Sequence, residues 1–466
     1  MEEKIFLYYT NDLHSHFDNW PKIIHYLNKQ KAVRERENQS YWLFDIGDHM
    51  DRSAPISEAL LGKGNVELLN QADYHFATIG NNEGITLDYQ QLVHLYENAQ
   101  FEVLCANLKS KNEKKPDWLQ AVKTVQTKMG TKISIIGLTA PYTNFYNLLG
   151  WDIQSPYDTL EEWIPMLKQK SDIIVLMSHL GLNEDEEIAR RFPEIDVIMG
   201  GHTHHLLKNG EMHRNTLLTA AGKHGYYVGE VYLNWDHTTK TVIQKEAYAY
   251  PIHDIEEDTE ARNAIQRLDQ QAANLLEKEI VRLSKSLRVD WYKETELMTH
   301  FVQTLQTWTK ADLAFLNAGT LMDGLEEGPV TYGDVHRICP HPMNPCVVTL
   351  KGNEIVEVIR GALTKPFMDF ELKGLGFRGK VLGRMVFTGI QVDTEVLDSG
   401  DEHVIDVTIN GKPLDKEKNY RVATADTFTF GKLLPEVARS EDKHYYLPEL
   451  LRDLLVVCLK DHYRNS

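Results

Sequence analysis

The stretch Gly200-Gly201-His202-Thr203-His204-His205 follows an apolar run, Ile195-Asp196-Val197-Ile198-Met199. The run reads as a short buried strand. Two histidines one residue apart at a strand end are placed to grip metal. The glycines before them let the backbone turn sharply and let another group approach closely. Taken alone, a pair of this kind is more often a surface loop than a set of ligands. Its meaning depends on what the other strand ends supply.

Four further segments carry oxygen and nitrogen donors just after apolar strands. They are Asp12-Leu13-His14, Gly47-Asp48-His49-Met50-Asp51-Arg52, Gly80-Asn81-Asn82-Glu83 and Ser178-His179-Leu180-Gly181. Each has a bland explanation. Asp12 suits a turn, Asp48 suits a helix cap, Asn81 suits a left-handed loop position, and His179 suits a satisfied core histidine. Five coincidences in one order, each after a strand, form the weaker explanation. Imidazoles mixed with carboxylates suit Mn, Fe, Zn or Ni better than Ca. The candidates Asp12, His14, Asp48, Asn81, His179, His202 and His204 are too many for one tetrahedral ion. They suit two ions sharing a bridging carboxylate. Two ions about 3.5–4 Å apart clamp the attacking and leaving oxygens of a displacement at phosphorus.

The chain has 466 residues, 42% hydrophobic and 25% charged, so two or more domains are expected. A net charge of −18 excludes a general binder of nucleic-acid backbone, which needs a basic face. It leaves room for a small anionic substrate, because a bound metal reverses the local field. No apolar run approaches the ~18–20 residues of a membrane helix. The start, Met1-Glu2-Glu3-Lys4-Ile5-Phe6-Leu7, enters a strand-like pattern directly, and no secretory signal is expected. Cys105, Cys339, Cys346 and Cys458 show no CxxC pairing. Cys339 and Cys346 lie seven apart in a Pro-rich loop and are near enough in sequence to bridge, but free thiols are expected. The expectation is a cytoplasmic protein with no membrane and no nucleic-acid duplex as partner.

The first half alternates short apolar strands with amphipathic helical stretches. Strands are expected at 5–9, 41–45, 76–79, 101–105, 132–138, 173–178 and 195–199. Helices are expected at 22–36, 57–70, 87–98, 159–170 and 184–191. This alternation predicts an α/β layered domain, with sites where the strands end. From about Tyr227 the chain turns more β-like. The polar segment 254–285 lacks Gly and Pro and reads as a linking helix. The remainder, with helices at 294–309 and 354–362 and a Gly/Pro-rich stretch at 317–345, reads as a second α/β domain. The expected boundaries are 1–253, 254–288 and 289–466.

These segments resemble the five signature blocks of the calcineurin-like metallophosphoesterases. The chain beyond Ala311 is similar to the C-terminal domain of the 5′-nucleotidase family. The similar stretches are Asn317-Ala318-Gly319, Pro329-Val330-Thr331-Tyr332-Gly333-Asp334-Val335, Val347-Val348-Thr349-Leu350-Lys351-Gly352 and Tyr420-Arg421-Val422-Ala423-Thr424, together with Ala106-Asn107-Leu108. The resemblance, to a bacterial cytoplasmic branch, implies an N-terminal β-sandwich flanked by helices and a smaller α/β C-terminal domain. It implies two divalent ions (Mn, Zn, Fe or Co). Asp12, His14 and His204 would hold one ion and Asn81, His179 and His202 the other. Asp48 would bridge them, and a metal-bridging hydroxide would attack phosphorus. It implies a small phosphate ester, a nucleotide or related metabolite, as substrate. Asn317 would contact it, and Phe377, Phe428 and Phe430 are candidates to stack its base.

Three positions depart from the family pattern. Asn82 stands where the family keeps a catalytic histidine, and Gly84-Ile85-Thr86 stands in place of that histidine's Asp partner. An amide donates a hydrogen bond but cannot deliver a proton as imidazolium does. His49 and His205 are the nearest spare imidazoles. Met322 replaces an arginine that grips phosphate, leaving Arg378 and Arg384 to compensate. Phe430-Gly431-Lys432-Leu433-Leu434-Pro435 replaces the usual GGDGYP loop. The leading expectation is a metal-dependent phosphoesterase with Asp48 and Asn82 at the chemistry. One alternative is a phosphodiesterase or pyrophosphatase preferring good leaving groups. Another is a metal-binding sensor with weak turnover.

Overall fold

A computed structural model of the chain describes residues 1–112, 115–397, 402–431 and 433–464. The chain divides into two compact units, Met1–Ala272 and Ala273–Ser466.

The first unit is built on two sheets. The seven-stranded sheet runs in the order Thr241–Pro251, Tyr227–Asp236, Glu2–Thr10, Ser40–Asp45, Phe76–Ala77, Glu102–Leu104, Leu119–Gln120. Its last five strands are parallel, and its first two pair antiparallel. The six-stranded sheet runs Glu211–His213, Thr216–Ala220, Val197–Gly200, Ile173–His179, Lys132–Thr139, Val122–Gln126, with four central parallel strands.

Side-chain alternation explains the layering. Along Ile173–His179, Ile173, Val175 and Met177 face the core shared with Ile5, Leu7 and Tyr9 of the other sheet. Ile174 and Leu176 point the opposite way. They pack on Leu160, Ile164 and Leu167 of the helix Pro156–Lys170 and on Ile188 of the helix Leu182–Arg191. Such a strand is apolar throughout because both of its faces are covered. Each fully buried Ile, Leu or Val contributes about 1.5–3 kcal/mol. The result is a sandwich with helices outside, and the parallel strands of both sheets deliver their C-terminal ends to one set of loops.

The helix expected over 57–70 is two helices, Pro55–Leu60 and Lys63–Gln71. Leu61 and Gly62 take left-handed φ of 48° and 78° between them. A Cβ at Gly62 would lie 2.5 Å from Met50 Sδ, so the chain turns where only glycine fits against that side chain. The segment expected as a linking helix also differs. The helix spans Thr259–Leu276, and Glu279–Leu283 is a strand paired with Gly328–Thr331. Ala261, Ala264, Ile265 and Leu268 are buried, and Leu268 reaches the neighbourhood of Gly64. The helix is therefore mostly part of the first unit, and the division falls at 272/273 rather than at 253 and 289.

The second unit carries a five-stranded sheet in the order Met385–Thr388, Leu313–Asn317, Asn419–Ala425, Pro345–Lys351, Lys443–Tyr445. The helices Glu296–Thr309, Gly352–Ala362 and Leu451–Tyr463 share a single apolar core with it. Cys105, Cys339, Cys346 and Cys458 are all free and buried, so Cys339 and Cys346 do not bridge. Among the described residues no helix is long and apolar enough to cross a membrane.

Candidate metal centre

The loops after five parallel strands converge. Asp12 and His14 follow Glu2–Thr10, Asp48 follows Ser40–Asp45, and Asn81 opens a short helix after Phe76–Ala77. His179 ends Ile173–His179, and His202 and His204 follow Val197–Gly200. Five of these residues lie on left-handed backbone: Asp12 (φ 50°), His14 (50°), Asp48 (50°), His202 (72°) and His204 (59°). That conformation costs non-glycine residues about 1–3 kcal/mol each, and it persists only where surrounding structure dictates it. Two glycines make the convergence sterically possible. A Cβ at Gly80 would lie 2.1 Å from Asp48 Oδ1, and one at Gly201 would lie 3.0 Å from Asp12 Oδ2.

The donors form two groups, Asp12/His14/His204 and Asp48/His179/His202, within each of which the donor atoms lie inside 4.8 Å of one another. His14 Nε2 faces His204 Nε2 at 2.9 Å. Asp12 Oδ1 lies 3.8 Å from His14 Nε2 and 3.5 Å from His204 Nε2. In the second group Asp48 Oδ1 lies 3.4 Å from His179 Nε2, and Asn81 Oδ1 lies 2.8 Å from His202 Nδ1. Asp48 also reaches the first group, with Oδ2 3.7 Å from His14 Nε2.

Surrounding groups fix these donors. His179 Nδ1 lies 2.7 Å from the Ile46 carbonyl, to which it donates, so Nε2 is the nitrogen turned to the centre. That Nε2 is buried without a hydrogen-bond partner. The His202 backbone N–H donates to both oxygens of Asp12 at 3.0 Å, and the Asn82 N–H donates to Asp48 Oδ1 at 2.8 Å. Glu83 accepts from the N–H groups of Asp48, Met50 and Gly80 at 2.9–3.0 Å and so holds two of the converging loops together.

The electrostatics match this arrangement. Burial alone would lower His179, but the Asp48 carboxylate overrides it and pushes the ring up to about 10. Burial, then the charge of His179, lowers His202 to about 4; burial, then His14, lowers His204 to about 3. Burial, then Asp48, raises Glu83 to about 7. Buried carboxylates thus surround themselves with positive charge where they can, while two imidazoles stay neutral with open lone pairs. Lone pairs aimed at one another and an orphaned buried Nε2 are the pattern that divalent cations satisfy, so the residues present fit metal ions.

Asn82 is buried, and its amide nitrogen lies 2.8 Å from His14 Nδ1. Asp51 Oδ2 lies 3.4 Å from the same atom. The position expected at the chemistry is thus committed to orienting a donor. The spare imidazoles differ in kind. His49 is buried against Trp20, with its ring lowered to about 3 by burial. His205 is exposed and lies 2.8 Å from Thr203 Oγ1.

The expected substrate residues of the second unit do not form an open site. Asn317 is buried; its amide donates to the Leu382 carbonyl at 2.7 Å and its Oδ1 accepts from Thr320. Phe377 is 2% exposed and stacks on buried His341. Phe428 is 1% exposed and packs on Phe315. Neither ring offers a face to a base, because core packing already covers them. Phe430 is half-buried, and Lys432 of its loop lies outside the described residues. Arg384 pairs with Glu402, and Arg378 donates to the Phe377 carbonyl at 3.1 Å.

Sequence reasoning missed the contacts of Glu83 and Asp51 and the stacking of His16 on His224. Glu83 had a signal, as the last residue of the Gly80-Asn81-Asn82-Glu83 block. His16 and His224 had none, since they stack on each other across 208 positions of sequence, with ring centroids 3.6 Å apart.

Residues 7–206 match the family described as calcineurin-like phosphoesterase, and residues 272–433 match the 5′-nucleotidase C-terminal domain. YunD of Bacillus subtilis (strain 168), described as an uncharacterized metallophosphoesterase, is 41% identical over 456 residues, 98% of this chain and 99% of its own. A 5′-nucleotidase of Vibrio cholerae is 23% identical over 450 residues, 85% of this chain and 78% of that one. The structure of the NAD nucleotidase of Haemophilus influenzae superposes with a TM-score of 0.69 at 16% identity, covering 99% of this chain and 97% of that one. At that identity the last likeness bears on the fold alone.

Proposed function

Since the chain belongs to the calcineurin-like phosphoesterases that carry a 5′-nucleotidase C-terminal domain, we propose that this phosphoester hydrolase acts on phosphate esters of nucleotides or related metabolites. The observation that carries the site assignment is Asp48, whose two oxygens face different donor groups, Oδ1 toward His179 and Oδ2 toward His14. Asp12, His14 and His204 would hold one divalent ion, and Asn81, His179 and His202 the second, with Asp48 between them. Mn, Zn, Fe and Co all suit this donor set. When bound, such ions supply Lewis acidity that lowers the pKa of a water and offsets the charge of the phosphate.

The chain's own residues do the rest. Ile46 fixes which ring nitrogen of His179 is presented to the centre, and the Asp51 carboxylate, on the Nδ1 side of His14, favours the tautomer of that ring whose Nε2 is presented. Glu83 holds the loops of Asp48 and Gly80 in register. Four buried unpaired thiols support a reducing, cytoplasmic setting. The test is a hydrolysis screen of monoesters, diesters and pyrophosphates with Mn, Zn and Co, run beside Asp48→Asn. Absence of metal-dependent hydrolysis across that panel would end the proposal.

One observation favours a narrower form. The amide of Asn82 is held by His14, so no imidazole acts on the leaving group from that position. Leaving groups that depart without a proton, as in pyrophosphates and activated esters, then react best. Relative rates across esters of graded leaving-group acidity test it; a flat dependence removes it.

A further inference from the structure

We propose that His16, His224 and Tyr226 form an aromatic platform at the rim of the metal centre that takes a planar aromatic group of the substrate. This rests on the phosphoesterase proposal for its position but not for its measurement.

The rings form a continuous series. His204 meets His14 edge-on at 5.0 Å, and His14 meets His224 edge-on at 5.9 Å. His224 stacks on His16 at 3.6 Å with planes 23° apart, and Tyr226 lies 6.1 Å from His224 with its plane tilted by 60°. Exposure rises along it: His14 is 9% exposed, His224 half-buried, His16 exposed and Tyr226 57% exposed. Each member of a stack covers one face of the other, so exposed His16 presents the remaining face.

The platform is anchored rather than a loose loop. The His224 N–H donates to the Asp12 carbonyl at 2.8 Å, and the Gly222 N–H donates to the His205 carbonyl at 2.9 Å. Asn11 and Asn19 donate to the carbonyls of Gly222 and His224 at 2.7 and 3.1 Å. Gly225, with φ 64°, sits where a Cβ would lie 2.7 Å from Ile23 and 2.9 Å from Leu13. The segment is therefore tied to the loops that carry Asp12 and His204. Phe377 and Phe428, the rings expected to take a base, are covered in the core of the second unit.

Calorimetric titration of the full chain with Mn²⁺ supplied, using phenylphosphonate and methylphosphonate, reads the platform without turnover. Phenylphosphonate is expected to bind about tenfold more tightly, the low end of what one aromatic stack contributes. Tyr226→Ala and His224→Ala should each remove most of that preference, and Tyr226→Phe and His224→Phe should keep it. Equal affinities in the natural protein, or a preference that survives the double alanine variant, would overturn the platform. Hydrolysis of no ester with the phenyl preference intact would remove the phosphoesterase proposal alone. Hydrolysis intact with equal affinities would remove the platform alone.

Discussion

Asn81 follows a strand and Asn317 ends one, and the two units treat them in opposite ways. In the first unit Asn81 Oδ1 faces the ring nitrogen of His202, amid Asp48 and His179, on loops forced into left-handed backbone. In the second unit Asn317 spends its amide on the Leu382 carbonyl and its oxygen on Thr320. The first arrangement gathers side-chain donor atoms beside a buried His179 Nε2 that has no hydrogen-bond partner, a pattern that a cation satisfies. The second closes every bond internally and makes a core. A strand end is therefore a position where a site can be built, and partner atoms decide whether one is.

The largest test of this contrast is Asp48→Asn. Without the carboxylate that faces both groups, turnover should fall by ~10⁴-fold or more as water activation is lost. Metal analysis should show fewer ions per chain. Full activity with two ions bound would break the contrast at its centre.

Phe428→Ala probes the other side. Truncating a buried phenyl ring should cost about 3–5 kcal/mol in denaturant unfolding. A cost below about 1 kcal/mol would mean that the ring is available to a ligand after all.

The second unit also holds an orphan, the buried Asp426, whose Oδ1 has no partner and whose carboxyl burial pushes up to about 7. A raised carboxyl pKa means that the folded state binds the proton more tightly. Its contribution is full below about pH 4 and is lost as pH rises through 7. Asp426→Asn should flatten the fall in stability between about pH 4 and 7, by on the order of a few kcal/mol. An unchanged pH–stability curve would sink this assignment.

Smallest is Asn82→Ala. Freeing His14 Nδ1 should weaken metal affinity about 10–100-fold, as loss of an outer partner does. Metal titration checks it, and unaltered affinity would mean Asp51 alone orients the ring.

Much of this was legible in sequence. The alternation of apolar runs and helical stretches predicted the layered α/β fold, because strand and helix periods are local properties. The donor residues were legible because each follows its strand within a few positions. The break at Leu61-Gly62 was not, because it depends on Met50 lying against Gly62. The assignment of Phe377 and Phe428 to a base failed for a similar reason. A phenylalanine in a core and one in a binding site look the same until their neighbours are known.

By itself the sequence determined which side chains are candidates to hold metal, since residue type fixes donor chemistry and strand ends fix where donors gather. Only the tertiary structure decided how they are shared. It set Asp48 between two groups, turned Asn82 toward His14 and stacked His16 on His224. These are contacts between residues 34 to 208 positions apart, and no local pattern encodes contacts at that separation.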